Sequence, residues 1–372
     1  MTESSPAQLA PYVAWGSFAL AFIFGAVGNK TNFCTMGAVS DWVNMGSLNR
    51  MRMWLLAIAV AILGSNALHL AGLIDLSKSI YQAPNFTWLS YLVGGFVFGV
   101  GMTLGSGCGS KTLIRIGAGS LKSVVVFVVM GIAAYMTLRG ILGALRVEVL
   151  EKASLTLASG QDVPSLLAGA TGAAKNIWVL WVSLIVGGAL VAFAYASKEF
   201  RSSFDYTLGG VVTGLVVVGG WYVSGRIGYL AEDPNTLQEA FVATNTGRME
   251  GFSFVAPLAW SLEYLMFWTD KSRIVTYGIA STAGVIAGSL AYALASRSFR
   301  WEGFRDAEDT GLHLAGGALM GFGGIVGLGC TIGQGVSGFS TLALGSILAF
   351  LAIVAGSAAT MKWQYWRLQR GA

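Results

Sequence analysis

The chain has 372 residues, of which 55% are hydrophobic and only 11% charged; an ordinary soluble domain carries about 25% charged residues, so a soluble globular enzyme is excluded. Its 51 glycines come with six prolines and no G-X-Y period, which rules out collagen and low-complexity disorder and leaves close packing as their use. The +5 net charge comes from basic residues scattered between apolar runs, which read as membrane-topology signals and not as a nucleic-acid surface; two histidines and three cysteines are too few for a Cys/His metal cage and leave one cysteine outside any disulfide set.

A spanning helix needs about 20 largely apolar residues. In chain order, the windows at about 11–28, 53–74, 87–104, 121–143, 176–197, 206–224, 274–296, 311–328 and 342–361 qualify. These nine windows predict an all-α polytopic membrane protein, one integral membrane domain over residues 1–372. No Lys or Arg precedes the first window, so it reads as a retained span and not as a cleaved signal peptide. The stretch Phe252 to Trp268 is apolar but contains Pro257 and Glu263, and reads as an interfacial or re-entrant helix. With the N-terminus outside and the C-terminus inside, 14 of the 23 Lys and Arg fall on the inner side; the rest lie mostly in the long segments 144–175 and 225–273, where the positive-inside rule has little force. Trp363, Tyr365 and Trp366 with Lys362, Arg367 and Arg370 form an interface anchor.

A duplication organises the chain. Gly94, Gly95, Gly99, Gly101, Gly105, Gly107 and Cys108 fall on Gly316, Gly317, Gly321, Gly323, Gly327, Gly329 and Cys330 at a constant offset of 222. Four extra residues in the second copy then bring Gly119-Ser120-Leu121 over Gly345-Ser346-Ile347. Each unit is a span, a broken glycine-rich segment and a span, and the topology makes the two units inverted, with pseudo-repeat halves of about 11–197 and 198–372. The breaks, LGSGCGSKT and LGCTIGQGVSG, are poor in helix formers, and non-helical backbone at membrane depth must be buried in protein or line a wet cavity. GNKTNFCTMG at Gly28 to Gly37 follows the first span in the same way, and GGWYVSGRIGY at Gly219 to Tyr229 is its counterpart, with Gly25 over Gly214. Four loop segments are therefore expected to converge, three bearing a thiol and one bearing Trp221, Tyr222 and Arg226.

All three cysteines, Cys34, Cys108 and Cys330, sit in these interruptions and none in an apolar span. A protonated thiol is a weak donor and a weak acceptor, able to meet a sulfur anion without the cost of burying a full cation. Weak contacts suit conduction, because a site must admit an ion and release it. Glycines beside the cysteines, Gly107, Gly109, Gly329 and Gly333, are explained by exposed N–H groups at helix starts. Ser110 stands where a phosphate loop GxxxxGK[ST] needs its second glycine, so GSGCGSKT is no nucleotide site. Lys111 reads equally as a source of positive potential on an anion path and as a snorkelling residue. His69 and His313 read as helix-end or packing residues.

Phe33-Cys34, GxGCG at Gly105 to Gly109, GxGC at Gly327 to Cys330 and GWYVSG at Gly220 to Gly225 together resemble the YeeE/YedE family, bacterial inner-membrane sulfur transport proteins, over about residues 11–362. The resemblance implies an hourglass-shaped helical permease with short re-entrant helices, not an enzyme, that takes up thiosulfate or a related sulfur-containing ion. It implies Cys108 and Cys330 as the central pair, with Cys34 on the same path. It places the chain in the bacterial inner membrane, where the Lys/Arg count makes the N-terminus periplasmic and the C-terminus cytoplasmic, and implies a separate sulfur-carrier partner of the TusA type. The translocation set is then Cys34, Cys108, Cys330, Gly107, Gly109, Ser110, Lys111, Gly329, Gly333 and Gln334, with no cofactor and no metal. Two competing readings remain at this point: a membrane sulfurtransferase relaying sulfane sulfur through a cysteine persulfide to a carrier, and a non-sulfur channel with structural cysteines.

Overall fold

The computed structural model describes residues 6–234 and 236–371. Its helices are α1 (Pro6–Lys30), α2 (Thr35–Met45), α3 (Asn49–Leu70), α4 (Trp88–Leu104), α5 (Gly109–Gly117), α6 (Leu121–Arg139), α7 (Ile141–Leu145) and α8 (Val163–Thr171). They continue as α9 (Lys175–Tyr195), α10 (Lys198–Ser202), α11 (Phe204–Tyr222), α12 (Ala256–Met266), α13 (Tyr277–Ala295), α14 (Ala307–Val326) and α15 (Leu344–Gly371). Sheet among the described residues is confined to two antiparallel pairs of two-residue strands, β1 (Asn85–Phe86) with β2 (Leu155–Thr156) and β3 (Tyr229–Leu230) with β4 (Ala240–Phe241).

Among the described residues eight helical stretches are long and apolar enough to cross a membrane, carrying α1, α3, α4, α6, α9, α11, α13 and α15. The ninth expected span, α14, is 20 residues long, but Glu308, Asp309, His313 and six glycines dilute its apolar content. It packs between α4 and α6, so Gly316, Gly317, Gly321, Gly323 and Gly324 are buried against protein, while Glu308 and Gly311 near its start are exposed. Lipid-facing positions are apolar and exposed, among them Trp15, Leu92, Phe96, Ile132, Trp181, Ile185 and Leu351, as a bilayer-embedded surface requires. The expected re-entrant stretch forms α12, 11 residues long, with Pro257 in its first turn; Pro257, Leu258 and Glu263 are buried.

The glycine faces of α4 and α14 build the inverted pair. A Cβ on Gly94 would strike the backbone nitrogen of Gly327, and a Cβ on Gly316 would strike that of Gly105. Since both Gly94 and Gly316, and Gly105 and Gly327, are 222 residues apart, one contact is made twice about a pseudo-two-fold axis. The next contacts change the offset. Gly95 lies on the carbonyl of Ala349 and Gly317 on that of Val126, while Gly99 lies on the carbonyl of Ile353 and Gly321 on that of Met130. The partners are now 223 apart, as are the starts of α6 and α15 and the left-handed residues Gly119 (φ 102°) and Leu342 (φ 58°). The second copy therefore carries one extra residue, not four, and the match of Gly119-Ser120-Leu121 to Gly345-Ser346-Ile347 is coincidental. The extra residue is absorbed where α5 is replaced by a π turn, Gly333–Gly338, the usual way a helix accommodates a single insertion.

The outer helices repeat the pattern. Gly25 of α1 lies on the carbonyl of Val285 in α13, and Gly214 of α11 on that of Ala57 in α3. The bundle thus has one end formed by the short connections near residues 31–48, 118–120 and 297–306, and another formed by the long segments 71–87, 140–174 and 228–276.

Candidate thiol-lined translocation site

Each cysteine is set by the same backbone device. Asn32, Ser106 and Leu328, two residues ahead of Cys34, Cys108 and Cys330, adopt left-handed conformations with φ of 51°, 55° and 56°. The residue before each donates its N–H to the carbonyl four positions back (Thr31 to Val27, Gly105 to Gly101, Gly327 to Gly323, at 2.8, 2.9 and 2.8 Å). The residue after each donates to the carbonyl five positions back (Phe33 to Gly28, Gly107 to Met102, Gly329 to Gly324, at 3.1, 2.9 and 2.7 Å). This is a helix stop of the Schellman type, built three times. A left-handed serine or leucine costs about 1–2 kcal/mol, so the turn is held by its surroundings at Ser106 and Leu328. The cysteine then starts the next helical segment: Cys34 caps α2, Cys108 precedes α5, and Cys330 precedes the segment containing the π turn.

The three thiols are free and buried, and a single extended segment ties two of them together. The N–H of Phe254 donates to Cys330 Sγ at 3.2 Å, the Ser253 hydroxyl lies 3.9 Å from it, and the N–H of Gly333 adds a third donor at 3.4 Å. The carbonyl of the same Phe254 occupies the place a Cβ on Gly109 would take, next to Cys108. Cys108 is within electrostatic reach of both Cys34 and Cys330. The Phe254 ring stacks on Phe24 at 5.8 Å, and Phe24 meets Phe33, the neighbour of Cys34, at 6.2 Å. An aromatic chain, Phe254–Phe24–Phe33, thus runs from the segment at Cys330 to the residue before Cys34.

The other expected site residues fall around these thiols. Cys34 Sγ accepts from the N–H of Gly37 at 3.4 Å, and Cys108 Sγ shares a 3.3 Å hydrogen bond with the Ser110 hydroxyl. Lys111 donates to the Asn32 side chain at 3.2 Å, joining the first and second breaks at the short-connection end. A Cβ on Gly107 would meet the Lys111 side chain, and one on Gly333 would meet the Ser253 hydroxyl and approach the Tyr81 hydroxyl. Gly329 carries the closing N–H of its turn. Gln334 turns back, its amide donating to the carbonyl of Gly327 at 2.6 Å, while its own buried carbonyl oxygen has no partner. It braces the turn ahead of Cys330. Among the described residues no group of three or more His, Cys, Asp and Glu could hold a metal ion.

The fourth convergent segment differs from the one expected. Residues 219–229 continue α11 into a π turn, Val223–Ile227, at the long-segment end. Trp221 is buried and its indole donates to the Ser340 hydroxyl at 2.9 Å, but Tyr222 and Arg226 are exposed. The thiols are met instead by Ser253 and Phe254 ahead of α12. The only signal for this in the chain is Gly251 and Pro257 bracketing an apolar run, which does not say where the run points. His313 bonds within its own helix to Asp309, a packing role.

A sequence profile of the family described as Sulphur transport matches residues 30–359. The chain is 29% identical over 324 residues to the thiosulfate transporter TsuA of Escherichia coli (strain K12), covering 84% of each chain. It is 24% identical over 368 residues to the thiosulfate transporter TsuA of Spirochaeta thermophila, covering 95% of this chain and 99% of the relative.

Proposed function

The chain belongs to the sulphur-transport family, and from that premise we propose that this multi-pass membrane protein is a permease for thiosulfate. The anion passes a constriction formed by Cys34, Cys108 and Cys330, with Gly107, Gly109, Ser110, Lys111, Gly329, Gly333 and Gln334 as its wall. The observation that carries this reading is the threefold use of one helix stop to set three buried thiols in the interior, Cys108 within electrostatic reach of the other two. Helix starts at Thr35, Gly109 and Thr331 follow the thiols directly, so open N–H groups and positive dipole ends counter the anion's charge. Donors from Phe254, Gly333 and Ser253 occupy the acceptor side of Cys330 Sγ, leaving its S–H to the terminal sulfur of the substrate. Such contacts are weak enough to release what they bind.

The long-segment end is assigned to the periplasm and the short, Lys/Arg-rich connections to the cytoplasm, in a bacterial inner membrane, with halves of about 11–197 and 198–372. A separate TusA-like carrier would collect sulfur at the cytoplasmic face. Radiolabelled thiosulfate flux into liposomes containing this protein alone tests the reading: accumulation above protein-free liposomes is expected, and its absence overturns it. A lasting sulfur adduct on Cys34, Cys108 or Cys330 by mass spectrometry after exposure to thiosulfate would replace permeation with persulfide relay.

A further inference from the structure

Helix α5 places two cations beside a thiol. Lys111 and Arg115 stand four residues apart on one face of this nine-residue helix and are half-buried, while Ser110, Thr112, Leu113 and Ile114 are buried. Long helical side chains lean toward the N-terminus of their helix, which here means toward Cys108. The contacts agree: a Cβ on Gly107, the residue ahead of Cys108, would lie 3.2 Å from the Lys111 side chain and 3.8 Å from Arg115 Nη1. Arg115 is also within electrostatic reach of Cys34.

A third cation arrives from α3. Arg50 Nη1 lies 2.5 Å from where a Cβ on Gly37 would stand, and the N–H of Gly37 donates to Cys34 Sγ at 3.4 Å. Lys111 is within electrostatic reach of Arg50, Arg115, Cys34 and Cys108, so the three cations form one group beside two thiols. Arg50 pairs through Nε with Asp41 at 3.0 Å, which offsets one of the three charges and leaves two. Lys111 donates to the neutral side chain of Asn32 at 3.2 Å. Among the described residues the Arg115 guanidinium makes no hydrogen bond and no ion pair. Glu302 is within its electrostatic reach, but that carboxylate is held by Lys122 at 2.6 Å.

The turn itself does not require this group. Cys330 follows the same helix stop, yet residues 331–340 include no charged side chain, so the stop is built there without cations. Three like charges brought together repel one another, and an anion among them reverses that cost. Arg115 is half-buried and opens to water, so its planar fork of N–H donors can exchange water for the oxygens of an anion.

We propose that Arg115, flanked by Lys111 and Arg50, binds the oxygens of a sulfur oxyanion on the short-connection side of Cys34 and Cys108. The proposal rests on the permease reading and adds to it the group that recognises the end of the substrate the thiols do not. The two ends of thiosulfate ask for different partners. Its charged oxygens suit two parallel N–H groups of a guanidinium, and its soft terminal sulfur suits a neutral S–H. Arg115 reaches back along α5 toward Gly107, so an anion can hold its oxygens on the guanidinium while its sulfur still faces Cys108 or Cys34.

The test is calorimetric titration of thiosulfate into the full chain in detergent, beside uptake by proteoliposomes. Arg115→Met should raise Kd about tenfold, with Tm unchanged because the residue has no protein partner to lose. Arg115→Lys keeps the charge and the Lys/Arg count of the short connections, so topology is untouched, yet it should still raise Kd about threefold because an ammonium offers no parallel pair. An unchanged Kd in Arg115→Met, or no binding by the wild-type chain, overturns the site. Full affinity in Arg115→Lys overturns the two-pronged contact. Should Arg115→Met not fold, Arg115→Lys still decides. Wild-type binding that depends on Arg115, in a protein whose liposomes carry no thiosulfate, supports the site and overturns the permease reading instead.

Discussion

Cys108 and Cys330 occupy the same turn of two inverted units, with left-handed φ values of 55° and 56° two residues ahead, yet their surroundings are unlike. Cys108 leads into a regular nine-residue helix that carries Lys111 and Arg115, and its sulfur has a single polar neighbour, Ser110. Cys330 leads into a stretch, residues 331–340, with no charged side chain and a π turn, and its sulfur accepts from three donors. The shared backbone makes the two helix stops nearly equivalent about the pseudo-two-fold axis. The side chains make them unlike, with positive charge following Cys108 toward the short-connection end and a thiol saturated with donors at Cys330. On the permease reading, an anion would therefore meet unlike surroundings when it approaches from the two ends.

The comparison can be broken most directly at the thiols. A hydrogen bond to a charged group is worth about 1.5–3 kcal/mol, so Cys108→Ala and Cys330→Ala should each cut thiosulfate uptake by about ten- to a hundredfold at unchanged protein level. Full uptake by both would remove the role assigned to them. The shared half is tested at the glycines: Gly94→Ala and Gly316→Ala both drive a methyl into backbone and should destabilise by similar amounts, about 1–3 kcal/mol each, read as matched losses of Tm in detergent. Unequal losses would break the pseudo-symmetry.

Stability separates the two elbows further. Cys330→Ala leaves the buried N–H of Phe254 without its acceptor, at a cost of about 1–3 kcal/mol, and Cys330→Ser should recover much of it. Cys108→Ala leaves only the Ser110 hydroxyl, which can turn, so its Tm should stay close to wild type. A smaller effect is expected at the charge. Lys111→Met should lower uptake about threefold, less at high salt, as befits a partly exposed cation worth under about 1 kcal/mol. A pH effect on stability is expected at Glu250, buried in the loop ahead of α12. Its folded-state midpoint is raised from 4.5 to about 7, so the stability this group contributes is full below 4.5 and is lost as pH rises through 7. Glu250→Gln should therefore raise Tm by a few degrees at pH 8 and leave it unchanged at pH 4.5, measured by thermal unfolding in detergent.

Much of the architecture was legible because apolar content and glycine spacing are local. Nine windows became nine long helices, although the structure ended the fourth at Gly140 and began the second at Asn49, where backbone conformation and not hydropathy sets the boundary. The duplication was legible through its glycines as far as the cysteines. Beyond them the register was misread, because a π turn hides one extra residue inside an apparently continuous helical stretch while chance Gly-Ser pairs suggest four. Trp221, Tyr222 and Arg226 drew the eye as a polar and aromatic loop, yet α11 simply runs on through them.

The amino-acid order alone determined that this is a membrane bundle, that it contains an inverted duplication, and that its three thiols sit at helix breaks, since each of these follows from residue type at fixed short spacing. Tertiary structure decided that Ser253 and Phe254 meet Cys330, that the Phe254 carbonyl lies on Gly109, and that Cys108 is within electrostatic reach of both Cys34 and Cys330. These relations join residues 74 to 222 positions apart, and they are fixed by glycine faces whose missing side chains let backbones close to contact, a distance that no pattern along the chain encodes.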